Sequence, residues 1–148
     1  MIVIKKVQEI DLPQLGALYE QLTGQLSNHD KMLTVYHKMA ETPDYTLIGA
    51  YQNDELIGSV MGVTCYELVG DCEPFMVVEN VIVSDLHRGL GVGKLLMAAI
   101  EDIAREQSCT VLMFVSSAYR KEAHRFYESI GYAGDVVRGF KKFLIPSS

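Results

Sequence analysis

Val81-Ile82-Val83-Ser84-Asp85-Leu86-His87-Arg88-Gly89-Leu90-Gly91-Val92-Gly93-Lys94 is the stretch on which the reading of this chain turns. An apolar strand ends, a short turn follows, and three glycines at alternate positions open a helix. Helix N-termini leave backbone N–H groups unpaired and carry partial positive charge, so this junction suits an anion. Glycine lets the backbone approach that anion without a Cβ between them. Arg88 and Lys94 add positive charge in a chain whose net charge is −6. The spacing excludes two common phosphate loops. Gly-x-x-x-x-Gly-Lys-Ser/Thr fails, because Leu95 follows Gly93-Lys94 and position 88 is Arg. A dinucleotide fingerprint needs its third glycine three residues after the second, where Lys94 stands, and an acid near Cys109.

Working outward, Phe75 to Val83 is apolar except for Glu79 and Asn80, which predicts a central strand buried on both faces. Gly91 to about Gln107 reads as a long amphipathic helix, followed by a strand over Thr110–Val115. A further helix is expected over Lys121–Ile130, with Gly131 at its C′ position, and a final strand over Val136–Leu144. Toward the N-terminus, Ile2–Val7 alternates as a strand does. Asp11 is expected to cap a helix with Pro13 in its first turn and Gln14 completing a capping box. The stripe Leu12, Leu15, Leu18, Tyr19, Leu22 ends at Gly24. A weaker helix spans about His29 to Ala40 before Pro43. Strands Thr46–Gln52 and Leu56–Tyr66 flank the tight turn Asn53-Asp54-Glu55, and Gly70 to Pro74 is a loop. The order β-α-α-β-β-β-α-β-α-β describes a mixed sheet with helices on both faces. No linker or repeat divides it, so residues 1–148 are expected to form a single domain.

Composition narrows the function. Thirteen Lys plus Arg against nineteen Asp plus Glu leave no basic excess for a phosphate backbone, so no nucleic-acid partner is expected. No apolar run reaches the ~18 residues a membrane span needs. Met1–Lys6 lacks the segment order of a signal peptide, so a cytoplasmic protein is expected. Cys65, Cys72 and Cys109 form no C-x-x-C pair, and His29, His37, His87 and His124 are scattered; no metal site is expected.

Arg88-Gly89-Leu90-Gly91-Val92-Gly93 resembles the R/Q-x-x-G-x-G/A acetyl-coenzyme A loop of the GNAT acetyltransferase superfamily. Arg120-Lys121-Glu122-Ala123-His124-Arg125-Phe126-Tyr127-Glu128-Ser129-Ile130-Gly131-Tyr132 resembles that family's second signature, A-x-x-F-Y-x-x-x-G-F/Y. The resemblance covers essentially the whole chain. It implies the α/β (α+β) GNAT fold, a mixed, mostly antiparallel central sheet of six to seven strands flanked by four helices. The implied cofactor is acetyl-CoA, held by Val81, Ile82, Val83, Arg88, Gly89, Leu90, Gly91, Val92, Gly93, Lys94, Arg120, Ala123 and Tyr127. The implied partners are a small-molecule amine and a second copy in a homodimer. Arg120 replaces an Asn found in many members; it either reaches a coenzyme A phosphate or points to solvent.

Acetyl transfer requires a neutral amine, a donor for the thioester oxygen and a proton for the leaving thiolate. The resemblance implies that a strand N–H near Val81 is the oxygen donor. It also implies that Tyr127 protonates the thiolate, for which a phenol of pKa about 10 is competent. Read as residues alone, Phe126 and Tyr127 are core aromatics. Glu79 is the candidate base: it interrupts an apolar strand, where a carboxylate is expected to be paired or raised in pKa. It matches the Glu of relatives similar to glucosamine-6-phosphate acetyltransferase; a structural ion pair with Arg is the other reading. The acceptor stays open. Glu67, Asp71 and Glu73 would favour a cationic amine or are simply solvated, and the resemblance extends to aminoalkylphosphonate acetyltransferases, for which Arg120, His29 and Arg138 are the available cations. A peptide or protein amine is also open, as is a coenzyme A-binding module without turnover. Glu79 and Tyr127 together favour an enzyme, because a pure binder needs neither.

Overall fold

A computed structural model describes residues 1–146 of the chain. The described residues form two compact units, 1–114 and 115–146. The first holds strands β1 (Ile2–Lys6), β2 (Tyr45–Gln52), β3 (Glu55–Cys65), β4 (Phe75–Val83) and β5 (Leu112–Met113). Its helices are α1 (Leu12–Thr23), α2 (His29–Met39) and α3 (Val92–Glu106). The strands lie in sequence order in one sheet; β1 to β4 pair antiparallel and β4 pairs β5 in parallel. A fold with a mixed, mostly antiparallel sheet and helices on both faces is what the sequence predicts.

Local chemistry explains each element. Asn53 and Asp54 have φ of 51° and 64°, the paired left-handed geometry that lets two residues turn β2 into β3. Asn28 caps α2 by accepting from the Lys31 N–H at 3.0 Å, and Gly24 closes α1 at φ 77°. Asp11 does not cap α1 with its side chain. It is drawn away by the Tyr51 hydroxyl, which donates at 2.6 Å, and by the Gln8 N–H. Gln14 likewise leaves the expected capping box to accept from the Leu56 N–H at 2.9 Å, tying α1 to β3.

The alternation of β2 assigns the two faces. Leu47 and Tyr51 pack into a cluster with Leu12, Leu15 and Leu18 of α1, and with Met32, Leu33 and Tyr36 of α2. Thr46 and Ala50, pointing the other way, stand opposite Gly62 and Gly58 of β3. Both glycines lie against α3. A Cβ at Gly62 would stand 3.0 Å from the Ile100 Cδ1, and one at Gly58 would stand 3.1 Å from the Leu96 Cδ1. Glycine at these two places is what lets α3 approach the sheet closely. α3 answers with Val92, Leu96, Met97, Ile100 and Ala104 fully buried.

Two expectations about β4 divide. It is an interior strand, between β3 and β5. It is not buried throughout: Met76, Val78 and Ile82 are, but Glu79 and Asn80 are exposed. The break comes where the register with β3 shifts, from Met61 opposite Glu79 to Ser59 opposite Ile82. One extra residue on β4 is a bulge, and it reverses the alternation. Ile82 therefore joins the α1 cluster, whereas Met76 lies within 2.7 Å of a Cβ built at Gly62, on the α3 side.

The second unit contains α4 (Lys121–Ser129). The helix ends as expected at Gly131, φ 103°, with Gly131 N–H donating to the Glu128 carbonyl and Tyr132 N–H to that of Tyr127. The expected strand over Val136–Leu144 does not form. As a strand it would put Arg138 and Lys142 on the face of Val136, Phe140 and Leu144, and Lys141 on that of Val137 and Phe143, so no single face is wholly apolar. These side chains are exposed, Leu144 at 89%. The strand expected over Thr110–Val115 shortens to β5. The sheet thus has five described strands rather than six or seven, with the fold class unchanged.

Candidate active site

The β4–α3 junction is built by backbone bonds that leave one end open. Ser84 N–H donates to the Ile57 carbonyl at 2.8 Å, keeping the strand end tied to β3. The Ser84 carbonyl accepts from His87 N–H at 2.9 Å, turning the chain. Gln21 at the end of α1 accepts from Asp85 N–H at 3.0 Å. Beyond this turn Arg88, Gly89, Leu90, Gly91 and Lys94 are exposed, and Gly89 and Gly91 both have φ 80°. No side chain caps α3, so the first-turn N–H groups of Val92, Gly93 and Lys94 lack intrahelical acceptors. Among the described residues nothing lies within 4 Å of a Cβ built on Gly89 or Gly91. The glycines are needed here for their left-handed backbone, and the space over them is free. Among the described residues His87 Nδ1, which is buried, has no hydrogen-bond partner. An open helix N-terminus, two cations, clear space and an orphaned polar atom together fit a large anionic cofactor.

Glu79, Val81, Ile82 and Val83 share the last stretch of β4, and the loop from Arg88 to Lys94 continues the same unit. Glu79 is exposed and, among the described residues, engages in no ion pair; the burial expected of it is absent because it lies beside the bulge. Val81 lies within the bulge, opposite no single partner in the β3 register.

Arg120, Ala123 and Tyr127 belong to the second unit, around the first turns of α4. Tyr127 is buried and Arg120 half-buried. The Arg120 charge acts on the Tyr127 phenol, a use that neither sequence alternative anticipated. Burial pushes the Tyr127 pKa up from its ordinary value, and the Arg120 charge and hydrogen bond pull it back in part. The phenol therefore keeps its proton at neutral pH. His124 Nε2 lies 3.2 Å from the Ser116 Oγ, a second link from α4 to the segment before it.

Sequence reasoning passed over three features: the Arg120–Tyr127 pair, the orphaned His87 nitrogen, and Asn80, whose φ is 55°. Only Asn80 left a signal, because Asn is the non-glycine residue that best tolerates such a backbone. A cavity of about 810 Å³ elsewhere in the first unit, between β1, β2, the end of α2 and α3, contains none of the expected site residues. Among the described residues no group of His, Cys, Asp or Glu could hold a metal ion, and no helix is long and apolar enough to cross a membrane.

Comparison with known proteins agrees with this geometry. A probable glucosamine 6-phosphate N-acetyltransferase of Drosophila melanogaster is 30% identical over 119 residues, 76% of this chain and 53% of its own. The chain thus spans about half the length of that curated relative. A transcriptional regulator from Bacillus halodurans C-125 superimposes with a TM-score of 0.90 at 20% identity, covering 97% of this chain and all of that one. Glucosamine-6-phosphate N-acetyltransferase from Arabidopsis thaliana does so at 0.85 and 18%, over 97% of this chain and 99% of its own. These structural likenesses show the fold, and their different names show that the fold alone does not set the activity. The model of the acetyltransferase (GNAT) family matches residues 7–132, around both signatures, and the chain belongs to that family.

Proposed function

We propose that the protein is an N-acetyltransferase that moves the acetyl group of acetyl-CoA to a primary amine of a small molecule by direct attack. The observation that carries this reading is the β4–α3 junction, where a bulged strand passes through two left-handed glycines into an uncapped helix N-terminus. The first-turn N–H groups of α3, with Arg88 and Lys94, are the groups that would hold the pyrophosphate, and Val81 to Val83 would hold the pantetheine arm. Bound acetyl-CoA supplies an activated acyl group as a thioester. An N–H near Val81 donates to the thioester oxygen as charge develops there, a contribution of roughly 3 kcal/mol for one such donor. Glu79 takes a proton from the ammonium form of the amine, directly or through water. Tyr127 gives its proton to the departing sulfur. Glucosamine 6-phosphate is the first acceptor to try, given the name of the Drosophila relative.

The test is radiolabelled acetyl-CoA with a panel of amines, followed by pH–rate profiles of wild type, Tyr127→Phe and Glu79→Gln. Tyr127→Phe is expected to lower kcat by roughly 10²–10⁴-fold with acetyl-CoA affinity little changed. Glu79→Gln should lose most near neutral pH and recover as rising pH deprotonates the amine unaided. A Tyr127→Phe protein with full kcat, under conditions where chemistry limits the rate, would return that side chain to a packing role. Acetyl-CoA binding without transfer to any amine would favour the binding module instead.

A further inference from the structure

The connection from β4 to α3 has a saturated half and a bare half. In the first, every N–H from Ser84 to His87 has an acceptor. Ser84 N–H donates to the Ile57 carbonyl at 2.8 Å, Leu86 N–H to the Ser84 Oγ at 3.3 Å, and His87 N–H to the Ser84 carbonyl at 2.9 Å. Asp85 N–H donates to Gln21 Oε1 at 3.0 Å. Gln21 is the one acceptor of the four that comes from a helix, sixty-four residues earlier in the chain. Arg88 then folds back, its Nε donating to the Val83 carbonyl at 3.4 Å. Beyond it lie the first-turn N–H groups of Val92, Gly93 and Lys94, which have no intrahelical acceptor.

α1 holds Gln21 in place. Leu12, Leu15 and Leu18 seat the helix in the core. Gln14 lies seven residues before Gln21, on the same helix face, and accepts from Leu56 N–H at 2.9 Å. The two glutamines staple α1 across the end of the sheet where β3 begins and β4 finishes, with Gly58 opposite Val83. Their targets differ. Leu56 lies within β3 and pairs with Tyr51 of β2, so the sheet holds it without Gln14. Asp85 lies past the end of β4, and among the described residues its N–H has no other acceptor.

We propose that Gln21 is a positioning residue for cofactor binding: it fixes Asp85 and so sets the direction in which the following loop presents Arg88 and the bare N–H groups of α3. This role rests on the acetyltransferase reading above, in which that loop holds the pyrophosphate. Donors that already converge bind an anion better than donors that must be ordered by it, because the ordering costs affinity. Gln21 acts through the backbone of the turn.

The test compares Gln21→Leu, Gln21→Glu and Gln14→Leu with wild type. The readouts are acetyl-CoA Kd by calorimetry, kcat and KM, and amide hydrogen exchange at Asp85 in the free protein. Gln21→Leu removes the acceptor and keeps a good helix former. It should raise Kd and KM for acetyl-CoA about five-fold, the scale of one hydrogen bond, and speed exchange at Asp85. Its kcat at saturating acetyl-CoA should stay within about two-fold of wild type. Gln21→Glu keeps an acceptor at the same reach. Compared with wild type in the same high-salt buffer, which screens the added charge, it should restore both affinity and Asp85 exchange. Gln14→Leu loosens α1 without touching the turn and should leave acetyl-CoA affinity within about two-fold. Equal weakening by Gln14→Leu and Gln21→Leu would overturn the role, as any loosening of α1 would then suffice. Wild-type affinity in Gln21→Leu would overturn it as well. Should Gln21→Leu fail to fold, Gln21→Asn, one methylene shorter, takes its place with the same outcomes. Failure of the underlying reading looks different: the wild-type protein itself would not bind acetyl-CoA.

Discussion

α3 and α4 both present an apolar stripe, yet they are held in opposite ways. α3 buries five residues and begins on Gly91, with no side chain at its N-terminus. α4 is nine residues long and fully buries only Tyr127. The residues flanking the helix act on Tyr127: the Arg120 charge lowers the pKa of its phenol, and Tyr132 N–H donates to its backbone carbonyl. Helix stability comes mainly from packing of an amphipathic face, so a well-seated helix can leave its end uncapped. α3 therefore leaves bare backbone at its N-terminus, whereas α4 buries one phenol whose pKa its surroundings shift.

The largest expected effect tests the packing of α3. Ile100→Ala empties the space over Gly62, where collapse is limited by the sheet backbone, and should cost about 2–5 kcal/mol in urea or guanidinium unfolding. A loss under about 1 kcal/mol would mean that something other than packing seats this helix. Next is its open end. Gly91→Val forces a β-branched residue into the left-handed region, a penalty of roughly 1–2 kcal/mol, and puts a side chain into the free space above the loop. Calorimetry should show acetyl-CoA affinity reduced by at least about ten-fold. Unchanged affinity would detach the loop from the ligand. The smallest effect sharpens the α4 side. Arg120 favours the charged phenolate, so Arg120→Met leaves burial unopposed and raises the Tyr127 pKa further. An acid works only while protonated, so the alkaline limb of the pH–rate profile should move to higher pH. A limb that stays put, or moves down, would uncouple the pair.

Much of this molecule was legible because it depends on local chemistry. Asn53-Asp54 encodes its turn, Gly24 and Gly131 encode helix ends, and the spacing of Leu96 and Ile100 encodes a buried stripe. The glycine loop was legible for the same reason, since backbone freedom is written in the residue type. What was hidden depends on partners distant in sequence. Asp11 reads as a cap until Tyr51, forty residues later, claims its oxygen. Glu79 reads as a buried carboxylate until a register shift against Met61 and Ser59 leaves it in solvent. Arg120 and Tyr127 lie seven apart, two helical turns, and nothing in that spacing tells a guanidinium to turn toward a phenol rather than toward water. The strand expected at Val136–Leu144 was inferred from apolar content, which does not by itself supply a neighbouring strand to pair with.

The parallel pairing of β4 with β5 has a consequence for the order in which the molecule can be assembled. β2 and β3 meet through a two-residue turn and can zip as soon as both exist. Leu112 and Met113 reach Met76 and Val77 only after the chain has run out along α3 and returned. Closing so long a connection carries an entropic penalty that the hairpin of β2 and β3 never meets. The glycine junction lies inside that connection, so during synthesis it emerges before its far side is anchored. The open N-terminal end of α3 is thereby among the later parts of the sheet unit to acquire a fixed shape, and the hairpin of β2 and β3 among the first.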